Sequence, residues 1–567
     1  MKKFLLGFLI GLIFAIMAGG ILALAAVRLG ERRPTVASNS ALVLHLEGDL
    51  PEQAPVDVAI PLLQEQPPLT MLDTWRILRD AASDNRIKAL VLEPRGLSVG
   101  WGKLEELRSD IAEFKKSGKP VTAYLKGATM RDYYVATAAD KIYMAPEDEL
   151  DVKGLRAELM YFKGTLDKLG VSMEFEAVGK YKDAPDEFTR TSPRPETLET
   201  TNQILDQYYG DIIRVIAEGR QKQPDQVRAL IDEGPFVGKG ALEAGLVDGL
   251  IYEDEMWGKV ESSSKLARIN ERNYNRAQSG SSQGKRIAFI TGDGDITRGD
   301  TNEDISETGI TATAMIKTMR QVENDPSIQG VILRIDSPGG DGIASDDILH
   351  EAKVLSQKKP LVISMSDLAA SGGYFMAMTG DPIIAYPNTL TGSIGVFFGR
   401  VNLKGLYDKI GINKQTLTRG KFANIDSENG PLSDQERAKL RHEIEIFYQG
   451  FVQRVAEGRK RPYDQVEPLA QGRVWLGTQA KQNGLIDELG GLDQAVQLVK
   501  QRAKIGAAEK VTLVAYPPKR SLFDLLLSRS NESEMETRLR ALAGKLPIRS
   551  LAHGGVLRLM PFTIEVK

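Results

Sequence analysis

Ser371 stands in the run Ala369-Ala370-Ser371-Gly372-Gly373-Tyr374, shortly after the β-branched stretch Leu361 to Ser364. A small-Ser-Gly-Gly turn from a strand into a helix lets a hydroxyl project where a carbonyl can approach, with the following N–H aimed at the same place. Upstream, Asp336-Ser337-Pro338-Gly339-Gly340 follows a second strand-like run, Val331 to Ile335. Paired glycines there can offer N–H groups to a developing oxyanion. Each motif alone is weak, since a glycine pair after a strand is most often a tight turn. Together, and in this order, they point to acyl transfer with Ser371 as nucleophile and Gly339, Gly340 and Gly372 as candidate oxyanion donors.

A serine nucleophile needs a base. The chain has no cysteine and four histidines, His45, His350, His442 and His553. Thiol chemistry, disulfides and cysteine-ligated metals are thereby excluded, and little is left for a histidine-rich metal site. His350 lies in the helical pattern Asp346 to Lys353 and His442 in the charged run Lys439 to Glu443, both of which read as solvated helix faces. A neutral lysine is the other recurrent base for serine. Gly179-Lys180-Tyr181-Lys182-Asp183 holds two candidates.

The choice between them comes from the architecture, because the chain is one unit written twice. Arg79, Asp84 and Lys88 to Leu92 recur as Arg320, Asp325 and Gln329 to Leu333, an offset of 241 positions. The same offset aligns Asp140 to Pro146 with Asp381 to Pro387, and Gly179-Lys180-Tyr181 with Gly420-Lys421-Phe422. Further on it becomes 239, aligning Ala217-Glu218-Gly219-Arg220 with Ala456-Glu457-Gly458-Arg459 and Gly245 to Asp248 with Gly484 to Asp487. So long a period indicates a duplicated domain, not a solenoid. Under it Ser371 falls on Met130, Gly372 on Arg131, Gly339 on Ser98 and Gly340 on Val99, so the first copy lacks the nucleophile and the glycine pair. Lys180 is matched by Lys421, but Lys182 falls on Ala423. The lysine is kept only where the serine is lost. Complementary loss points to one composite site, with Lys182 as its base. A free lysine with pKa ~10.4 is neutral at pH 7 about once in 2,500; burial between two domains would favour the neutral form.

Short β-branched runs alternating with amphipathic stretches predict α/β units with a largely parallel sheet in each copy. The expected organisation is 1–33 as anchor, 34–270 as the lysine-bearing domain, 271–284 as linker, 285–516 as the serine-bearing domain and 517–567 as a C-terminal arm. The linker reading rests on the Ser, Gly, Asn and Gln content of residues 270–285. In the arm, Ser521 to Leu527 is amphipathic and suits packing on its own domain, on a neighbour or on lipid. Phe4 to Val27 is 24 residues without a charge, enough for a helix to cross the ~30 Å hydrocarbon core. Ala23-Leu24-Ala25 has the form of a signal-peptide cleavage site, but the apolar run is longer than such signals need, which favours an uncleaved anchor. Elsewhere the chain is ordinary: 567 residues, 42% hydrophobic, 73 Lys and Arg against 76 Asp and Glu. That balance offers no broad basic face for nucleic acid.

The apolar N-terminus, the duplicated half, Ser337-Pro338-Gly339-Gly340, Ala370-Ser371-Gly372-Gly373-Tyr374, Thr391-Gly392-Ser393-Ile394-Gly395 and Gly179 to Asp183 resemble the signal peptide peptidase A (protease IV) family in its long two-domain form. The resemblance implies tandem Clp-type/crotonase-like domains behind an N-terminal transmembrane helix, and a serine endopeptidase that degrades signal-peptide remnants with a Ser-Lys dyad. It implies Ser371 as nucleophile, Lys182 as base, and Ser393 as the second serine that orients the lysine; Ser393 falls on Val152 in the other copy. It further implies a homotetramer, single-pass in the bacterial inner (plasma) membrane with its catalytic part on the periplasmic or outer side, and no cofactor or metal. Asp183-Ala184-Pro185 departs from the Ser-Ala-Val run of some members and puts a carboxylate beside the base. Two other classes suit the same fold: an acyl-CoA hydratase or thioesterase, which has no use for a turn serine paired with a lysine in the other copy, and a non-catalytic membrane scaffold.

Overall fold

The computed structural model of the chain describes residues 34–53, 68–261, 265–278, 284–299, 309–517 and 555–559. The apolar segment 4–27 and most of the C-terminal arm lie outside them. Among the described residues no helix is long and apolar enough to cross a membrane.

Each half is built on a parallel sheet covered by helices. In the N-terminal half the strands run in the order Ala267–Asn270, Ser40–Glu47, Ile87–Arg95, Val121–Leu125, Lys141–Met144, Gly249–Leu250. In the C-terminal half Val511–Tyr516, Lys285–Asp293, Ile328–Ser337 and Leu361–Ala370 follow the same plan. Leu361–Ala370 then pairs with both Ile383–Ala385 and Leu390–Gly392. Strand interiors such as Leu90-Val91-Leu92 and Val331-Ile332-Leu333 are buried without alternation, because apolar side chains cover both sheet faces. The duplication persists in side-chain detail. Tyr133 donates to the Leu246 carbonyl at 2.7 Å, and Tyr374 donates to the Leu485 carbonyl at 2.7 Å. Arg220 grips Asp248 as Arg459 grips Asp487, each at 2.9 Å.

The halves are locked together by three features. The strand Ser172–Val178 of the first half pairs antiparallel with Val396–Asn402 of the second, from Val178 opposite Val396 to Ser172 opposite Asn402. The helix Trp101–Lys115 lies against the strand Leu361–Ala370. Beneath that contact Arg334 is fully buried, bonded to Glu52 at 2.9 Å and to Glu106 of the first half. A charge so placed is tolerable only because it is paired and hydrogen-bonded.

Two elements differ from the sequence reading. The stretch 271–284, expected as a linker, contains the helix Glu271–Gln278, in which Tyr274 is buried in the first half's core and Glu271 accepts from His45 Nδ1 at 2.8 Å. Its polar composition conceals one buried aromatic, which is enough to dock a two-turn helix. Within the arm, residues 555–559 form a strand that runs antiparallel between Gly339–Asp341 and Val396–Asn402.

Candidate active site

The strand Leu361–Ala370 continues beyond the expected Ser364 and ends directly at Ser371, which starts the short helix Gly372–Met376. Ser371 adopts φ 53° and ψ −113°, a conformation costly for any residue with a side chain. It is held there from both sides: its N–H donates to the Gly392 carbonyl at 2.8 Å and its carbonyl accepts from Phe375 N at 2.8 Å. Gly372 must be glycine, since a Cβ there would fall 2.7 Å from Ser345 Oγ and 3.1 Å from both Gly339 Cα and Gly340 N. The turn and the glycine pair are therefore in backbone contact. Gly339 N–H donates to Ser337 Oγ at 3.2 Å.

Lys182 arrives from the other half. The strand Ser172–Val178 carries the chain across the boundary, and Gly179, at φ 118°, turns it onto the loop Gln471-Gly472. A Cβ on Gly179 would lie 2.6 Å from the Gln471 carbonyl carbon, and one on Gly472 would lie 2.6 Å from Lys182 N and Cβ. Tyr181 N–H donates to the Gln471 carbonyl at 2.7 Å. So seated, the Lys182 side chain is 1% exposed and its Nζ lies 2.9 Å from Ser371 Oγ, 3.0 Å from Ser393 Oγ and 3.2 Å from the Ser393 carbonyl. Ser393 is itself held at φ 49°, with its N–H donated to the Arg473 carbonyl at 2.7 Å. Six of the sequence-selected residues thus gather in one place: Ser371, Lys182, Ser393, Gly339, Gly340 and Gly372.

The remaining candidates lie elsewhere. His350 and His442 are on exposed helix faces, and Lys180 is exposed beside Glu196 at 3.4 Å. Burial lifts the Asp183 carboxyl to about 6, opposed by the Thr197 hydroxyl bonded to it and by Arg194. In the first half the equivalent turn is closed: Asp132, at the position of Gly373, accepts from Gly96 N at 3.0 Å and Leu97 N at 2.9 Å. The same carboxylate closes a capping box with Thr129, so it ties the start of its short helix to the loop after the strand Ile87–Arg95. The sequence reading passed over Gln471 and Gly472, which seat the lysine. The one available signal was a glycine, Gly472, where the other copy has Glu233 under the offset of 239.

A buried amine on a strained serine hydroxyl, beside converging backbone amides, is an arrangement suited to acyl transfer. Comparison with known proteins agrees. The chain matches peptidase family S49 over residues 113–267 and 353–506, one match in each half. It is 37% identical over 458 residues to the chloroplastic serine protease SPPA of Arabidopsis thaliana, covering 79% of this chain and 68% of that one. It is 30% identical over 560 residues to protease 4 of Haemophilus influenzae, covering 92% and 89%. With protease 4 of Salmonella typhi the identity is 32% over 456 residues, covering 77% and 72%. A solved ClpP1 mutant from Listeria monocytogenes aligns with 37% of this chain and 94% of its own at 16% identity and a TM-score of 0.24, too slight a likeness to weigh. Two matched halves and relatives that span most of the chain make it a member of peptidase family S49, a serine endopeptidase.

Proposed function

We propose that this protein is a membrane-anchored Ser-Lys endopeptidase that degrades signal-peptide remnants, its catalytic part lying on the outer side of a bacterial inner membrane. The observation that carries the chemistry is the 2.9 Å approach of Lys182 Nζ to Ser371 Oγ across the boundary between the halves. In this reading neutral Lys182 takes the Ser371 proton as Oγ attacks the scissile carbonyl carbon. The Ser393 hydroxyl and carbonyl fix the direction of the amine. Negative charge on the former carbonyl oxygen is met by backbone N–H groups of the glycine turn. Gly340 and Gly372 suit this better than Gly339, whose N–H is already given to Ser337. The C–N bond breaks as the lysine ammonium returns its proton to the leaving amine, leaving an acyl-enzyme. Water, deprotonated by the same lysine, then releases the carboxyl product and restores the serine.

The substrate class follows from the slot beside this site. Residues 555–559 occupy it as a strand opposite Gly339–Asp341 on one side and Phe397–Gly399 on the other. An extended peptide can make the same main-chain pairings, whereas a folded protein cannot present one. Phe397, Phe398 and Val396 make the nearby strand apolar, which suits the apolar core of a secretion signal. Anchoring through residues 4–27 would hold the slot close to the bilayer. Tandem Clp-type/crotonase-like halves remain the finer fold assignment.

The duplication also suits assembly into a homo-oligomer, for which the resemblance to the long two-domain family implies a tetramer. Shifting the pairing of Ser172–Val178 with Val396–Asn402 by 241 positions gives 413–419 and 155–161, and neither run is a strand within the chain. Residues 413–419 are exposed throughout, Leu417 by 84%, and Met160 by 67%. A second copy can supply each with its partner, a head-to-tail contact that closes as a ring.

The test is substitution with labelling. Ser371→Ala should fold normally, lose reaction with a fluorophosphonate probe and keep less than about 1% of peptide turnover. Greater residual turnover, or labelling of another serine, removes the nucleophile assignment.

A further inference from the structure

In the C-terminal half, the helix Gly342–Lys358 is capped by its own N-cap residue. Asp341 Oδ1 accepts from Ile343 N at 2.8 Å and from Ala344 N at 2.9 Å. The offset of 241 puts Gly100 and Lys103 at the positions of Asp341 and Ala344. Gly100 has no side chain to cap the helix Trp101–Lys115, yet the cap is present. Asp367 of the other half supplies it, with Oδ2 accepting from Gly100 N at 2.8 Å and Oδ1 from Lys103 N at 2.7 Å. The counterpart of Asp367 in the first half is the exposed Lys126. A carboxylate present at the helix start in one copy is absent in the other, and the replacement comes across the boundary. This is the same complementarity as that of Ser371 and Lys182.

The place of Asp367 gives this cap its meaning. It lies four residues before Ser371, where the strand Leu361–Ala370 slips against Ile328–Ser337. Ile335 faces Met365 and Ser337 faces Ala369, so residues 366–368 stand opposite Asp336 alone. Asp336 bridges the slip: its Oδ1 accepts from Leu368 N at 3.0 Å and its Oδ2 lies 2.8 Å from Lys103 Nζ. The Lys103 side chain is 6% exposed and also lies 4.0 Å from Asp367 Oδ2. One turn of a first-half helix thus holds two strand ends of the second half. One leads into Ser337 to Gly340, the other into Ser371.

We propose that Asp367 and Lys103 are positioning residues that set the nucleophile turn and the glycine loop in working register through the docked first half. The proposal rests on the assignment of Ser371 and Lys182 above. Leu368–Ala370 keeps its ladder to Leu390–Gly392 on one side, but toward Ile328–Ser337 the slip interrupts the ladder, and a displacement on the order of 1 Å at the reacting atoms costs about a hundredfold in rate. A cap that only stabilised its helix would lower the melting temperature and leave turnover alone.

Two variants separate these roles. In Gly100→Ala the new Cβ would fall 2.4 Å from Asp367 Cγ, displacing the carboxylate while keeping both charges. Gly100→Asp/Asp367→Ala returns the cap to the helix itself, as in the second half, and cuts the tie to the nucleophile strand through Asp367 while leaving Lys103 on Asp336. Steady-state kinetics on an unstructured peptide, fluorophosphonate labelling of Ser371 and thermal unfolding are measured on each full-length variant. The expected result is a double variant that melts close to the parent, with kcat and labelling rate lowered about tenfold or more and KM within about twofold. Parental kcat in the double variant overturns the proposal, because restoring the cap would then have restored function. Failure of both variants to fold also overturns it, since the contact would be structural alone. Absence of Ser371 labelling in the parent protein would instead refute the nucleophile assignment.

Discussion

At the residue scale, the proposed mechanism needs a lysine whose charge and exact seat both matter. Lys182→Arg should be as inactive as Lys182→Ala, because a guanidinium stays protonated at any usable pH and cannot accept the serine proton. Lys180→Ala should stay within about twofold of the parent, since the Lys180 amine is exposed beside Glu196 and the Tyr181 ring, and its backbone bonds survive the substitution. Peptidase assays on the three variants decide the matter; activity in Lys182→Arg would move the base elsewhere. The seat is tested through glycine. Gly472 and Gly380 both have positive φ, 76° and 90°, so alanine at either is strained by about 1–2 kcal/mol. Only at Gly472 does the new Cβ meet the lysine, 2.6 Å from its N and Cβ, whereas Gly380 has open space around it. Gly472→Ala should therefore lose activity at least about tenfold, and Gly380→Ala should lose only stability. Equal activity in the two would mean that the lysine tolerates displacement.

At the element scale, the helix Trp101–Lys115 is the wedge between the halves. It carries Lys103, Glu105 and Glu106 into the second half, and Glu105 Oε2 accepts from Asn388 N at 2.9 Å. Burial, with Asp211 adding to it, lifts the Glu105 carboxyl to about 8, against the opposing pull of the Asn388 N–H, Arg214 and Arg108. A carboxyl raised in the folded state binds its proton more tightly there than when unfolded. Its contribution is full below about 4.5 and is lost as pH rises through about 8, so stability should fall across that window. Glu105→Gln should flatten this fall, by an amount on the order of a few kcal/mol, in denaturant melts taken from pH 5 to 9. Unchanged pH dependence would place Glu105 in a better-solvated setting. None of this was legible in the sequence, where Glu105 and Glu106 look like an ordinary polar face. Hydrophobic periodicity marks what is buried in a chain's own core but not a polar face buried against another domain. The strands were legible from their β-branched runs, and Ser371 and Lys182 stood out as candidates because the repeat made absence informative: Met130 against Ser371, Ala423 against Lys182. The helix Glu271–Gln278 was missed for the opposite reason, since one buried Tyr274 leaves no periodic signal.

At the scale of the whole molecule, duplication supplies the frame for the proposed composite site. Two copies of one fold can pair element against element, and once they do so within a chain each need keep only its half of the chemistry. The structure closes Lys182 onto Ser371 inside one chain, so catalysis and assembly are separable in principle. The same pairing shifted by 241 positions falls on 413–419, exposed throughout, and on 155–161, partly exposed, and the proposed oligomer would pair them between copies. Leu417→Pro removes an N–H from the first of these runs without touching the buried contacts of the site. In light scattering the variant should shift from oligomer to monomer, while Ser371 still reacts with a fluorophosphonate probe because its lysine comes from the same chain. An oligomer that survives the substitution would locate the interface elsewhere. A monomer that no longer labels would show that neighbouring copies brace the site, and that the dyad's geometry depends on the ring as well as on the chain.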